Sequence, residues 1–213
     1  LADAVGQYQA AARLSAADPE LFCWVQLRLM CSIADMAGTQ TAMARLATTR
    51  DSLVRFGDKR PFSALHLWFA ECETVRGRLD AARHHLSIAE SLLTEIDDVW
   101  LRGYLAINNF GVCYYAGDVS EAEKWAAVAL ECSAISGHKG ARRAAYANAG
   151  AIEFSLGHLE RAEKLLSLAL AECERGSTSH IAVLHSLALI KLQRDDMVGC
   201  SDIVALVDTF SDR

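Results

Sequence analysis

The sequence predicts an all-α fold: antiparallel helix hairpins stacked into a right-handed α-solenoid of about eleven helices. Three observations predict it. A glycine-centred turn returns with a period near 40 residues, and apolar residues on both sides of it recur at i, i+3, i+4 and i+7. The composition suits closely packed helices, with 36 alanines and only two prolines, Pro19 and Pro61, in 213 residues.

The turns set the register. Gly38, Gly77, Gly117 and Gly157 are separated by 39, 40 and 40 residues, and Asp195 follows 38 further on in a comparable turn. Around them the text repeats, as Val75-Arg76-Gly77-Arg78-Leu79, Tyr115-Ala116-Gly117-Asp118-Val119 and Ser155-Leu156-Gly157-His158-Leu159. Each turn joins two stretches of helical period, so the unit is helix, tight turn, helix. This divides the chain into a half-unit, 1–18, and units at about 19–58, 59–97, 98–137, 138–176 and 177–213, read as one repeat domain. Ser120 with Glu123 reads as a capping box opening a second helix.

Small residues keep fixed offsets within a unit: Ala70, Ala82 and Ala89, then Gly111, Ala122 and Ala129, then Gly150, Ala162 and Ala169. Small side chains there let two helices approach and interdigitate. The Gly111 set is one residue short, which suggests a shortened turn. Cys31, Cys72 and Cys113 recur every 41 residues, as do Cys132 and Cys173. That spacing reads as equivalent buried positions for a small apolar side chain. Seven cysteines with no CxxC pair suit reduced thiols and a cytoplasmic location.

Composition narrows the function. Hydrophobic residues at 52% and charged residues at 23% exclude a disordered chain, and a net charge of −6 argues against direct nucleic-acid binding. No apolar run approaches the roughly 18 residues of a membrane span. No phosphate loop, metalloprotease helix or nucleophile elbow occurs, so no enzyme activity, cofactor or metal is expected. Glu71 and Glu73 lie at i and i+2, which face apart on a helix. His84 and His85 are neighbours pointing about 100° apart and read as solvated helix surface. His180 and His185 lack a third ligand. The basic cluster His138, Lys139, Arg142 and Arg143 reads first as a solvated face, and second as an anion contact.

The stretch Asn109-Phe110-Gly111-Val112-Cys113-Tyr114-Tyr115 with Ala122, Ala126 and Ala129, and Gly150 with Ala162, Leu166 and Ala169, resembles the tetratricopeptide repeat (TPR) family. Leu1, Ala4, Tyr8 and Ala11, closed by Pro19, resemble the second helix of such a unit. The period near 40, longer than the family's usual 34, resembles the repeats of kinesin light chains and of maltose-activator-type bacterial regulators. HEAT or armadillo repeats share that period but do not predict the turn or the alanine triplet. Opening on half a unit, and closing without a polar cap, the sequence is expected to be a segment of a longer protein.

The resemblance implies a non-catalytic scaffold whose first helices line a groove for a protein or peptide, as the sensor or interaction segment of a larger bacterial signalling or transcription regulator. Carried over by phase, the groove residues are Arg28, Asp35, Trp68, Glu71, Asn108, Asn109, Tyr115, Asn148, Phe154 and His185, with Leu67, Ala147 and Gln193 beside them. Asn109 and Asn148 share a phase and match an asparagine that contacts a ligand backbone in peptide-binding members. Such an amide can instead serve a hydrogen bond within its own hairpin. The lysines of the family's carboxylate clamp are replaced by Leu67, Asn108, Ala147 and His185. Two other readings stand beside this one: a small-molecule receptor whose Trp68, Tyr115 and Phe154 stack on a ligand, and a homo-oligomer formed through terminal helices.

Overall fold

A computed structural model of the chain describes residues 2–15, 18, 21–22, 24–29, 38, 40–44 and 58–211. Among them there is no strand. Nine helices have defined bounds: α1 (Ala2–Leu14), α2 (Lys59–Val75), α3 (Leu79–Leu93), α4 (Val99–Tyr115), α5 (Val119–Ser136), α6 (Lys139–Ser155), α7 (Leu159–Ala171), α8 (Thr178–Gln193) and α9 (Met197–Ser211). The chain forms two compact units, Leu1–Leu101 and Arg102–Arg213.

In the first unit, α2 and α3 form a hairpin and Leu65 and Phe69 of α2 join Leu27, Leu29 and Ala42 in one core. Val5 and Tyr8 of α1 lie against it. The Asp58 carboxylate opens α2 by accepting the Arg60 N–H at 3.0 Å. Pro61 sits in that first turn, where a missing N–H costs nothing. Asp98 plays the same role for α4, accepting the Leu101 N–H at 2.9 Å while its other oxygen takes Arg60 Nε at 2.6 Å.

In the second unit the helices stack in chain order. α5 packs on α6, α6 on α7, α7 on α8 and α8 on α9, and α6 also touches α8. Alanines make these approaches possible: Ala106, Ala122, Ala129, Ala145, Ala162 and Ala169 are all 0% exposed.

One turn recurs four times. Gly77, Gly117 and Gly157 have φ of +73°, +81° and +79°, and Asp195 has φ of +58°. At each, the left-handed residue donates to the carbonyl three back: Gly77 to Thr74, Gly117 to Tyr114, Gly157 to Phe154 and Asp195 to Leu192. The next residue donates five back, Arg78 to Glu73, Asp118 to Cys113, His158 to Glu153 and Asp196 to Lys191, at 2.8–2.9 Å. This paired pattern satisfies the last carbonyls of a helix, and it needs a residue that tolerates positive φ.

Five sequence expectations change here. The helix expected to start at Ser120 is capped instead by Asp118, whose carboxylate accepts the Glu121 N–H at 3.1 Å, because the turn ends two residues earlier. The turn before α5 is not shortened: α4 ends at Tyr115 and α5 starts at Val119, the same gap as between Ser155 and Leu159. Counted seven residues back from the turn glycine, the partner of Ala70 and Gly150 is Phe110 rather than Gly111. Phe110 is 5% exposed and packs with Ala122 and Ala126. The 41-residue cysteine spacing slips one residue against the 40-residue hairpin, so Cys72 is buried while Cys113, Cys132 and Cys173 are half-buried. Finally, only His84 of the histidine pair faces solvent. His85 lies half-buried, stacked on Phe69 at 5.1 Å with its Nδ1 3.0 Å from Nδ1 of the buried His66.

Candidate functional site

The first helices α4, α6 and α8 carry the candidate residues of the second unit. Asn108 is buried, and its Nδ2 donates to the Tyr104 carbonyl at 2.9 Å. Asn109 Nδ2 donates to the Leu105 carbonyl at 3.1 Å. Both amides therefore spend a donor on their own helix, one turn back. Asn148 differs: its Nδ2 is buried with no hydrogen-bond partner. Counted from the turn glycine, Asn148 shares its position with Asn108, nine residues before the turn, and not with Asn109. A buried amide N–H without an acceptor costs about 1–3 kcal/mol.

Tyr115, at the end of α4, is 68% exposed. Its neighbour Tyr114 stacks on Phe110 at 5.3 Å and lies 3.0 Å from the Ser155 hydroxyl of α6, which itself donates to the Ala151 carbonyl. Phe154 and Ala147 of α6 pack against the cluster that Leu166 of α7 forms with Val183 and Leu187 of α8, so the Phe154 ring serves the interior as much as a surface. His185 and Gln193 are exposed on α8.

In the first unit Arg28 and Glu71 are exposed, and Trp68 is half-buried against the core, 5.9 Å from Phe69. Leu67 is 3% exposed and is a core residue. Asp35 lies outside the described residues. Glu73, two places from Glu71, is buried and ion-paired with Arg76 and Arg78.

The basic cluster at the start of α6 is partly structural. His138 caps the helix, its Nδ1 accepting the Ala141 N–H at 3.2 Å, and Arg142 pairs with Glu172 at 2.6 Å. Burial pushes the Cys132 and Cys173 thiols up, which makes both poorer nucleophiles. Among the described residues no group of three His, Cys, Asp or Glu side chains is placed to hold a metal ion. No helix among them is long and apolar enough to cross a membrane.

A cleft of about 450 Å³ opens beside the third turn, lined by Gly157, His158, Leu159, Glu160, Arg161 and Arg194. None of the sequence-derived candidates lines it. Next to it Glu163 of α7 receives both Lys191, at 2.9 Å, and Arg194. The Lys191 hydrogen bond holds the Glu163 carboxyl below the usual carboxylate range and, in return, raises Lys191. A depressed carboxyl stabilises the fold at neutral pH and loses that contribution as pH falls through its folded pKa. Glu163→Gln should therefore cost up to about 1 kcal/mol at neutral pH, and progressively less as pH falls from neutrality through the folded pKa of the carboxyl. Urea midpoints of both proteins across that range check it.

No protein-family model matches the chain, and no curated protein does. Solved structures do match. BtubC (BKLC) from P. vanneervenii is 17% identical over 99% of this chain and 89% of its own, with a TM-score of 0.66. A signal-transduction ATPase with numerous domains (STAND) from Pyrococcus horikoshii, which bears a tetratricopeptide repeat sensor, is 16% identical over 95% of this chain and 33% of its own, with a TM-score of 0.60. The kinesin light chain TPR-like repeats of Podosopora anserina are 15% identical over 94% of this chain and 96% of their own, with a TM-score of 0.56. The fold is that of the TPR-like helical repeats, as the turns and alanine contacts require.

Proposed function

We propose that this chain is a non-catalytic scaffold that binds a protein or an extended peptide along its first helices. The TPR-like helical repeat fold is typical of protein-interaction scaffolds. The observation that carries the reading is Asn148: its buried Nδ2 lacks an acceptor, while the equivalent Asn108 satisfies its own helix. Turned outward from its half-buried position, this amide can meet a backbone carbonyl supplied from outside without breaking an internal hydrogen bond at Nδ2. Tyr115 offers an exposed aromatic surface on the neighbouring first helix in sequence. The wider setting we favour is the sensor or interaction segment of a larger bacterial signalling or transcription regulator. The P. horikoshii protein supports the signalling part of that setting, since a repeat region like this one is there a third of a signalling ATPase that bears a TPR sensor.

Panning the full chain against a displayed peptide library, and titrating the selected peptides against Asn148→Leu, tests the proposal. One net hydrogen bond of about 1 kcal/mol predicts roughly five- to tenfold weaker binding by the variant. A chain that selects no peptide but melts higher with small metabolites would overturn it in favour of a small-molecule receptor.

A further inference from the structure

The α2–α3 hairpin holds a contact that packing alone does not call for. His66 of α2 is 7% exposed, His85 of α3 is half-buried, and their Nδ1 atoms stand 3.0 Å apart. Two neutral imidazoles in that contact share a single hydrogen, so one Nδ1 lone pair already points across the hairpin. Counted from the turn, eleven residues before it and eight after, the later hairpins place Ala106 with Trp125, Tyr146 with Leu165 and Leu184 with Ile203. Ala106 is fully buried with Trp125 packed against its cluster, and Leu184 is 3% exposed. Apolar and aromatic side chains fill this place elsewhere, and an imidazole pair adds a desolvation cost that they avoid.

We propose that His66 and His85 form a binding site for a divalent transition ion that favours imidazole, Ni(II), Cu(II) or Zn(II), held by both Nδ1 atoms as a clip across α2 and α3. Two nitrogens bound at about 2.0–2.1 Å to one ion lie about 2.8–3.4 Å apart in square or tetrahedral geometry, and the observed separation falls in that range. The rings have only to tilt until both lone pairs meet on one point. Phe62, edge-on to His66 at 4.8 Å, and Phe69, stacked on His85 at 5.1 Å, limit them to small tilts. Binding releases no net proton, because the shared hydrogen leaves Nδ1 and its ring takes one up at Nε2, so both ligands stay neutral. Among the described residues no third His, Cys, Asp or Glu joins the set, so water completes the coordination from the exposed side of His85. The inference stands apart from Asn148 and holds whether or not a peptide binds there.

The test uses the full chain with Ni(II) chloride as the probe, at about pH 7.5 where imidazole is neutral. Calorimetric titration should find a saturable site, and the ion should raise the melting midpoint. Paramagnetic Ni(II) should broaden the ring signals of His66 and His85 before those of any other histidine. His85→Leu, which copies Leu165 into this hairpin, should melt normally without metal and bind Ni(II) at least tenfold more weakly. His85→Gln, polar and half-exposed, should show the same loss, and His84→Gln should bind as the unaltered chain does. No saturable site, a site that survives both His85 variants, or one lost with His84→Gln overturns the proposal.

Discussion

Gly150→Phe should destabilise the protein by about 3 kcal/mol or more and Leu166→Ala by about 2–5 kcal/mol, while the double variant should recover most of both losses. The reason lies in one contact repeated with different sizes. A Cβ placed on Gly150 would meet Leu166 Cγ at 2.8 Å, so no side chain fits there while Leu166 stays in place. Leu166 is 2% exposed, and truncating it leaves a void beside a residue with no side chain to fill it. At the same positions one unit earlier the chain places Phe110 and Ala126, both buried in one cluster. Two units earlier it places Ala70 and Leu86. The volume is kept while its owner changes helix. Gly150→Phe with Leu166→Ala copies the Phe110–Ala126 solution into the next hairpin, and a thermodynamic cycle from denaturant unfolding measures the coupling. Two single losses that simply add would show that the two sites do not share one space.

The second large effect concerns the turns. Gly157→Ala should cost about 1–2 kcal/mol, and Gly77→Ala and Gly117→Ala should cost the same. A Cβ added at any of the three meets nothing within 4 Å, so the penalty is purely the left-handed backbone, not a clash. Asp195, at φ of +58°, already bears part of that penalty. Asp195→Gly should accordingly stabilise by a few tenths to about 1 kcal/mol. Thermal melts of the four variants give three losses of similar size and one gain.

Those same turns explain what was legible in the sequence. A left-handed backbone admits few residues, so Gly77, Gly117 and Gly157 stand out in the text and fix the hairpins. Even the aspartate in the fourth turn is found by its spacing. Register inside a helix was harder to read. Gly111 drew attention because it is small, yet it is Phe110 that occupies the contact, since a packing position conserves the sum of two volumes and not the identity of either. The same one-residue slip paired Asn148 with Asn109 instead of Asn108. Counting from the turn glycine corrects both. The candidate face was legible only as a phase. That Asn108 and Asn109 bond their own helices, and that Asn148 Nδ2 does not, depends on side-chain rotation, which periodicity cannot encode. The His66–His85 contact joins residues on facing helices of one hairpin, a cross-helix pairing to which neither helix's own pattern points.

The exchange of bulk between Phe110 and Ala126 also decides where this chain can be shortened. Excising 118–157 would join α4 to α7 through an acceptable Gly117-His158 turn, yet set Phe110 against Leu166. Excising 78–117 would join α2 to α5 and leave Ala70 facing Ala126 across a hole. Cuts placed between hairpins, after α5 or after α7, keep each matched couple intact. The heritable module of this protein is thus the hairpin with its own pair of side chains, and a single helix is not a tradable part.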